Sequence, residues 1–338
     1  MGEYQKDTQI YSTFGDKLLA HAEVLADIQT KGIWRPITVQ LSLLAACDSH
    51  CDFCSVSRRD LQHRLKFEDV QKCIADFREL GAKAVEITGG GNPMMYPQIN
   101  EVVDYAHSLG LDIGIISNTE NPGKILKPET AQKLTWYRCS LTKLEEGKTV
   151  ADFDFDVIPK GKLGFSHIMN VKTTPETIEQ IAELVKRYPD VKFVRIAGNC
   201  LDSESIEGVK KDWEPIIKKV DELGKFFIKE IAGCHNAFPD FCGVGAIRPY
   251  VMDDGYIYIC TSHVLKFRKV DSRYRIGVIT DVKGMYEKMN KRFQETGTLY
   301  DVDIKGKCRE CFYSNNNRLL NTIAGGYGKS RHPDANFA

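Results

Sequence analysis

Between residues 37 and 200 short β-branched or apolar runs alternate with amphipathic helical stretches, and this alternation confines the chain to α/β folds built on a parallel sheet. The runs predict strands over 37–43, 84–88, 111–117, 136–141, 163–171 and 191–197. Helical periodicity predicts helices over 67–80, 99–109, 128–134 and 175–188; in the first, Val70, Ile74, Phe77 and Leu80 recur three or four residues apart. Six strands joined by helices predict a partial (β/α)6 barrel. In such folds chemistry collects at the C-terminal ends of the strands, where the loops converge on one mouth.

Beyond residue 225 the alternation gives way to short candidate strands at 250–252, 255–260 and 275–279 and a helix over 282–292. Little apolar periodicity accompanies them, so a small irregular domain, stapled by metal in place of a core, is expected there. The glycine-containing tail from 325 to 338 is expected to fray or to close over something. The expected organisation is an N-terminal extension (1–35), a barrel (36–225), a small cysteine-bearing domain (226–320) and a tail (321–338).

Composition narrows the function classes. The chain has 46 Lys plus Arg against 46 Asp plus Glu, so no global charge draws it to nucleic acid or to an anionic membrane. No run approaches the roughly 18 apolar residues of a membrane span, and the N-terminus lacks the order of a signal peptide. A cytoplasmic protein with no membrane partner is expected. In that reducing compartment its 11 cysteines point to metal ligation rather than disulfides. Cys47, Cys51 and Cys54 form one group and Cys234, Cys242, Cys260, Cys308 and Cys311 another, with Cys73, Cys139 and Cys200 read as small buried hydrophobes.

Cys47-Asp-Ser-His-Cys51-Asp-Phe-Cys54 has the spacing C-x3-C-x2-C and follows the first predicted strand. Three thiolates on one tight loop can each take one iron of a cubane and leave the fourth iron open, whereas a closed structural site takes four ligands. On spacing alone a zinc site completed by His50 stays open. The loop resembles the cluster-binding motif of the radical S-adenosylmethionine (radical SAM) superfamily. That resemblance implies a radical SAM partial barrel in which Cys47, Cys51 and Cys54 hold a 4Fe-4S cluster and its open iron binds S-adenosylmethionine. It implies that Phe53 packs near the adenine. One electron, from a donor such as flavodoxin or ferredoxin, would then split S-adenosylmethionine into methionine and a 5′-deoxyadenosyl radical that abstracts hydrogen from a substrate carbon.

Thr88-Gly89-Gly90-Gly91-Asn92-Pro93, after the second predicted strand, resembles the family's Gly-Gly-Glu-Pro segment, which receives the methionyl amine. Glycines let a ligand ammonium approach backbone carbonyls. Asn92 stands where glutamate is usual. The resemblance also places Ser117, Asn118 and Ser140 near the methionyl carboxylate or ribose, Asn170 near the ribose hydroxyls, and Arg195 toward the interior.

Cys242, Cys260, Cys308 and Cys311 resemble the ligand set of the twitch domain, a shortened SPASM domain, which implies a second, auxiliary 4Fe-4S cluster. The stretch 251–255 reads as a hairpin turn that leads into a strand closed by Cys260. Cys234 could replace Cys242 or meet the substrate, and a zinc site of four cysteines fits the same spacing. Four cysteines favour an electron-accepting cluster and therefore an oxidoreductase, with an isomerase-type rearrangement as the neighbouring expectation. The expected substrate is a small polar molecule, because about 36 residues before the barrel leave little room for a leader-peptide domain and the cysteine spacing resembles that of aminoglycoside-type alcohol oxidases. A nucleotide or a nucleic-acid base comes next, with Lys210, Lys211, Lys218, Lys219 and residues 329–332 as local basic patches, and a peptide after that. The rival of another class is a zinc-stabilised binding protein.

Overall fold

The computed structural model describes residues 14–54, 60–198, 214–216, 218–220, 222, 227–230, 241–261, 271–302 and 313–328. In chain order these form α1 (Phe14–Leu19), α2 (Ala22–Lys31), β1 (Thr38–Leu41), α3 (Phe67–Glu79), β2 (Ala84–Ile87), α4 (Ile99–Ser108) and β3 (Asp112–Ser117). There follow α5 (Pro128–Ala131), β4 (Trp136–Ser140), β5 (Leu163–Met169), α6 (Pro175–Arg187), β6 (Val194–Gly198) and β7 (Phe227–Glu230). The last third carries α7 (Val244–Ile247), β8 (Tyr250–Val251), β9 (Tyr256–Tyr258), β10 (Arg275–Val278), α8 (Val282–Thr296) and α9 (Ser314–Ala324).

One sheet runs through all ten strands in the order β10-β9-β8-β1-β2-β3-β4-β5-β6-β7. From β1 to β7 every pairing is parallel, as helical crossovers require. Each strand feeds its helix through local signals. Thr174 caps α6 by accepting the Thr177 amide, with Pro175 at the first helical position.

Alternation along the strands divides the sheet into two chemically different faces. Val39, Leu41, Val85, Ile87, Ile113, Ile115, Tyr137, Phe165, Val194 and Ile196 are buried on the outer face. Opposite them lie the apolar stripes of α3 (Val70, Ile74, Phe77), α4 (Val102, Val103, Ala106) and α6 (Ile178, Ile181, Leu184). The intervening positions Gln40, Glu86, Arg138, Ser166 and Arg195 turn the other way, to the concave interior, and in neighbouring strands Gln40 pairs in register with Glu86 and Ser166 with Arg195.

In the C-terminal third β8 pairs parallel with β1 on the free side of the barrel sheet, and β9 and β10 extend it antiparallel. Tyr250, Val251, Ile257, Tyr258, Tyr286 and Phe293 belong to the same apolar core as β1. These strands run two to four residues, too short to display a period, and tertiary pairing supplies what periodicity could not. Predicted helix 128–134 also shrinks to the four residues of α5.

Trp34, just after α2, explains part of the N-terminal extension. Its fully buried ring meets Phe241 edge-on at 5.7 Å and Phe293 of α8 at 5.5 Å, and Tyr327, in the predicted tail, stacks on Phe293 in turn. Trp34→Ala removes the keystone of this contact, and an aromatic-to-alanine cavity costs about 3–5 kcal/mol. Urea denaturation should show a loss of that order.

Candidate active site

The three cysteines of the C-x3-C-x2-C loop follow β1 at the barrel mouth; none is in a disulfide and all are half-buried. A tight turn in which the Cys54 amide donates to the Cys51 carbonyl (3.0 Å) brings the last two together. The loop is anchored by the residues between its cysteines. Asp48 Oδ1 accepts from Asn92 Nδ2 (2.9 Å) and Asn118 Nδ2 (3.2 Å), and Asp48 Oδ2 accepts from Lys143 Nζ (2.7 Å). Lys143 also donates to Glu120 at 2.7 Å. Burial works to raise the Asp48 pKa, but the hydrogen bonds from Lys143 and Asn92 and the lysine charge outweigh it and hold the carboxyl below its ordinary value. Glu146 closes the far side, accepting from Ser49 Oγ (3.0 Å) and the His50 amide (3.1 Å). Burial first, and then the Glu146 charge, push the Cys51 thiol up to about 11.

The glycine segment is packed against this loop. Gly91 donates to the Leu44 carbonyl, and a Cβ on it would lie 1.9 Å from the Ala46 carbonyl oxygen. Gly89 has φ +127°, and a Cβ there would lie 2.5 Å from Ser42 Cβ. Two of the three glycines are thus demanded by the close approach of β1 and β2. Asn92 is 2% exposed, and its amide group is fully engaged: Oδ1 accepts from Ser117 Oγ (2.7 Å) and the Met94 amide (3.1 Å), while Nδ2 donates to Asp48 and Thr119 Oγ1 (2.9 Å each). Ser117 is likewise turned inward, onto Asn92.

The other predicted positions share the rim. Asn118 reaches the loop directly, donating to Ser49 Oγ at 2.5 Å and Asp48, with Cys47 Sγ at 3.9 Å. Ser140 closes β4 and Phe53 sits on the cluster loop, both half-buried. Asn170, just past β5, donates to Glu145 Oε2 and to the Ile168 carbonyl at 2.8 Å each. Glu145 also stands 3.1 Å from Nε2 of the fully buried His167. Burial opposes ionisation of Glu145, but hydrogen bonds from His167, Asn170 and Thr173 and the His167 charge prevail and lower its pKa. Periodicity reads none of Asp48, Lys143, Glu120, Glu145 and His167 as part of the rim; Asp48, lying inside the cysteine motif, carried the one local signal.

Residues 41–194 match the family described as the radical SAM superfamily. Residues 41–194 are thus a radical SAM domain. Among solved structures the chain is similar to Streptococcus suis SuiB bound to precursor peptide SuiA, with a TM-score of 0.54 and 15% identity over 87% of this chain and 71% of that one. It is similar in the same way to SuiB bound to S-adenosylmethionine, with a TM-score of 0.53 and 14% identity over 87% and 72% of the two chains. These likenesses are of fold. A stretch of 113 residues, 32% of this chain, is 25% identical to an S-adenosylmethionine-dependent nucleotide dehydratase from Flammeovirga pacifica, of whose length it covers 39%.

Radical SAM enzymes use a 4Fe-4S cluster and S-adenosylmethionine, and the mouth of this barrel fits such a group. Among the described residues no three His, Cys, Asp or Glu side chains gather around a single-ion site. A cubane asks for a different arrangement, three thiolates each on its own iron, and one loop of this radical SAM barrel carries three cysteines outside any disulfide at the mouth. In the last third, Cys242 is buried and accepts from Asn317 Nδ2 (3.6 Å), and Cys260 follows β9. Both lie within electrostatic reach of the buried Tyr300 hydroxyl, whose pKa is driven far up by burial first and then by these sulfurs. The predicted ligands Cys308 and Cys311, together with Cys200, Cys234, Lys210, Lys211 and residues 329–332, lie outside the described residues. Lys219 pairs with Glu179 on α6. No helix among the described residues is long and apolar enough to cross a membrane.

Asn92→Glu would restore the acid usual in the family's segment, yet here it removes the donors to Asp48 and Thr119 and sets a second carboxylate beside Asp48. The expected result is a melting temperature several degrees lower and less iron bound per chain, read by calorimetry and iron analysis. At Asp253, burial first and the Asp254 charge lift the carboxyl to about 6 against the Ser42 hydrogen bond. A carboxyl with a raised native pKa costs stability once it ionises, so its contribution is lost as pH rises through that value. The melting temperature of Asp253→Asn should therefore match wild type below about pH 4, gain on it between about pH 4 and 6, and keep a constant lead at higher pH.

Proposed function

We propose that this chain is a radical SAM oxidoreductase acting on a small polar molecule, by dehydrogenation or a related rearrangement. The observation that carries this reading is the polar lining of the barrel. Glu86 accepts from Gln40 Nε2 (2.8 Å) and is paired with Arg248 (2.8 Å), with Arg138 close enough that its charge helps to lower the Glu86 pKa against burial. A charged and polar inward face favours a polar ligand, because covering it with an apolar one would strip its water and give nothing in return.

Cys47, Cys51 and Cys54 would hold the 4Fe-4S cluster, with Phe53, Gly89, Gly90, Gly91, Ser117, Asn118, Ser140 and Asn170 around S-adenosylmethionine. When bound, that pair supplies one-electron cleavage of S-adenosylmethionine and abstraction of hydrogen from a substrate carbon. The barrel holds the reacting carbon near that centre and keeps water away, while Gln40, Glu86 and Arg248 fix the polar end of the substrate. Cys242, Cys260, Cys308 and Cys311 would hold an auxiliary 4Fe-4S cluster that receives the substrate's electron. Supporting this, Cys260 lies within electrostatic reach of Tyr313 and Arg248, and Arg248 is the partner of Glu86, so this cysteine stands near the barrel lining.

A nucleotide substrate is the second reading. It is favoured by the likeness to the nucleotide dehydratase and by the cations of the lining, where Lys17 of α1 lies within electrostatic reach of Arg138 and Arg248.

Anaerobically reconstituted protein should absorb near about 400 nm, as iron-sulfur proteins do, and bind iron and sulfide. A colourless protein with stoichiometric zinc would overturn the assignment. With dithionite and S-adenosylmethionine, wild type should release 5′-deoxyadenosine and Cys51→Ala none. Cys308→Ala should keep part of this uncoupled cleavage while losing substrate turnover; equal loss in both assays would make the second site structural. Polyhydroxylated amines that raise 5′-deoxyadenosine yield support the first substrate class, nucleoside triphosphates the second.

A further inference from the structure

The inward face of the barrel carries more cations than the function proposed above uses. Alternation turns Gln40 of β1, Glu86 of β2, Arg138 of β4 and Arg195 of β6 to the interior. Arg248, just ahead of β8, joins them by donating to Glu86 Oε2 at 2.8 Å, while Gln40 Nε2 donates to Glu86 Oε1 at 2.8 Å. These side chains are solvated rather than packed into a core. The side chains of Glu86 and Arg248 are 15% and 21% exposed, and Arg138 and Arg195 are half-buried. Arg138 lies two residues before Ser140, the last residue of β4, and so about 7 Å beneath the strand ends at the usual rise of a strand.

The floor beneath these arginines is aromatic. Trp136 and Phe193, each two residues before an inward arginine, lie over the inward glycines of the neighbouring strands: a Cβ on Gly114 would be 2.1 Å from Trp136 Cζ2, and one on Gly164 would be 2.7 Å from Phe193 Cζ. The missing Cβ atoms let the rings settle against the sheet instead of filling the space above them. From the N-terminal side, α1 brings Lys17 toward the same group. Burial first, and then repulsion from Arg248 and Arg138, outweigh the attraction of Glu86 and hold the Lys17 ammonium below its ordinary pKa. The two repulsions exceed the attraction, so the field at Lys17 is cationic in spite of the carboxylate. An entering anion relieves that repulsion, whereas an amine would add to it. Guanidinium forks match the planar oxygens of carboxylate and phosphate.

We propose that the barrel interior is an oxyanion site, in which Arg138, Arg248 and Lys17 receive a phosphate or carboxylate group of the substrate beneath the strand ends and leave its reacting carbon at the mouth. That the anion belongs to a substrate rests on the function proposed above, whose small polar molecule is thereby narrowed to an acidic one. Glu86 holds Arg248 in place and sets the field that the anion must overcome.

Titration calorimetry of the anaerobically reconstituted protein tests the site, with tripolyphosphate, citrate and glucosamine as probes. Tripolyphosphate or citrate should bind, with affinity falling as salt rises, and glucosamine should not; the tighter of the two acids tells phosphate from carboxylate. Arg138→Gln and Lys17→Gln should each weaken that acid about tenfold, the loss of one charge-assisted contact. Arg138→Lys, which keeps the charge, should stay within a few-fold of wild type. Glu86→Gln removes the competing carboxylate and should tighten binding, which an ion pair serving only the fold would not do. Lys291→Gln, on the exposed side of α8, should change nothing. Failure of both acids to bind wild type, unchanged affinity in Arg138→Gln and Lys17→Gln, equal weakening in Lys291→Gln, or tighter binding of glucosamine than of either acid would overturn the proposal. Release of 5′-deoxyadenosine by wild type with dithionite and S-adenosylmethionine is the separate readout. Acid binding without that release would overturn the assignment of the anion to a radical SAM substrate, and release without acid binding would overturn the oxyanion site alone.

Discussion

Asp48 ties the cysteine loop to the barrel, and the geometry of the mouth depends on that tie. Its two oxygens are shared among Asn92 after β2, Asn118 after β3 and Lys143 after β4. Three strand ends therefore converge on one side chain located between Cys47 and Cys51. A loop carrying three thiols has many conformations of its own, and ordering it costs about 1–2 kcal/mol per residue in backbone entropy. Charge-assisted hydrogen bonds from Lys143 and a saturated Asn92 offset part of that cost before any metal arrives. Glu146, holding Ser49 and His50 from the opposite side, completes the frame.

The sheet divides its labour between its faces. Outward residues are apolar and covered by α3, α4 and α6, so stability resides there, while the inward row is polar. The hairpin β8–β9 links these two roles. By pairing with β1 it extends the sheet past the barrel and buries Tyr250, Val251 and Ile257 in the common core. It also delivers Asp253 to the back of the glycine segment and sets Cys260 within reach of Arg248. The C-terminal third is thus joined to the site through hydrogen bonds of the sheet itself, a stiffer coupling than a linker would give.

The strands of the barrel and the helices α3, α4 and α6 were legible because their patterns are local: the alternation of period 2 or 3.6 is written in neighbouring residues. The cysteine spacing was legible for the same reason, since all three cysteines lie within eight residues. The partners that Asn92 takes, Asp48, Thr119, Ser117 and Met94, were not legible. Ser117 donates to it from the end of β3. No local pattern reveals such a choice, because the partners come from separate strand ends. The pairing of β8 with β1 was equally hidden, for a two-residue strand carries no period and its partner lies about 200 residues away in sequence.

The amino-acid sequence by itself determined the α/β alternation, the three-thiol loop after the first strand and the glycine turn after the second, all of them encoded within a few consecutive residues. The tertiary structure alone decided which polar side chains find partners in the protein and which do not. The physical reason is that hydrogen-bond satisfaction is a property of neighbours in space. Asn92 and Asp253, 161 positions apart, stand on either side of the same glycine segment, one with its amide oxygen fully occupied and the other with a carboxylate oxygen that nothing in the described protein satisfies.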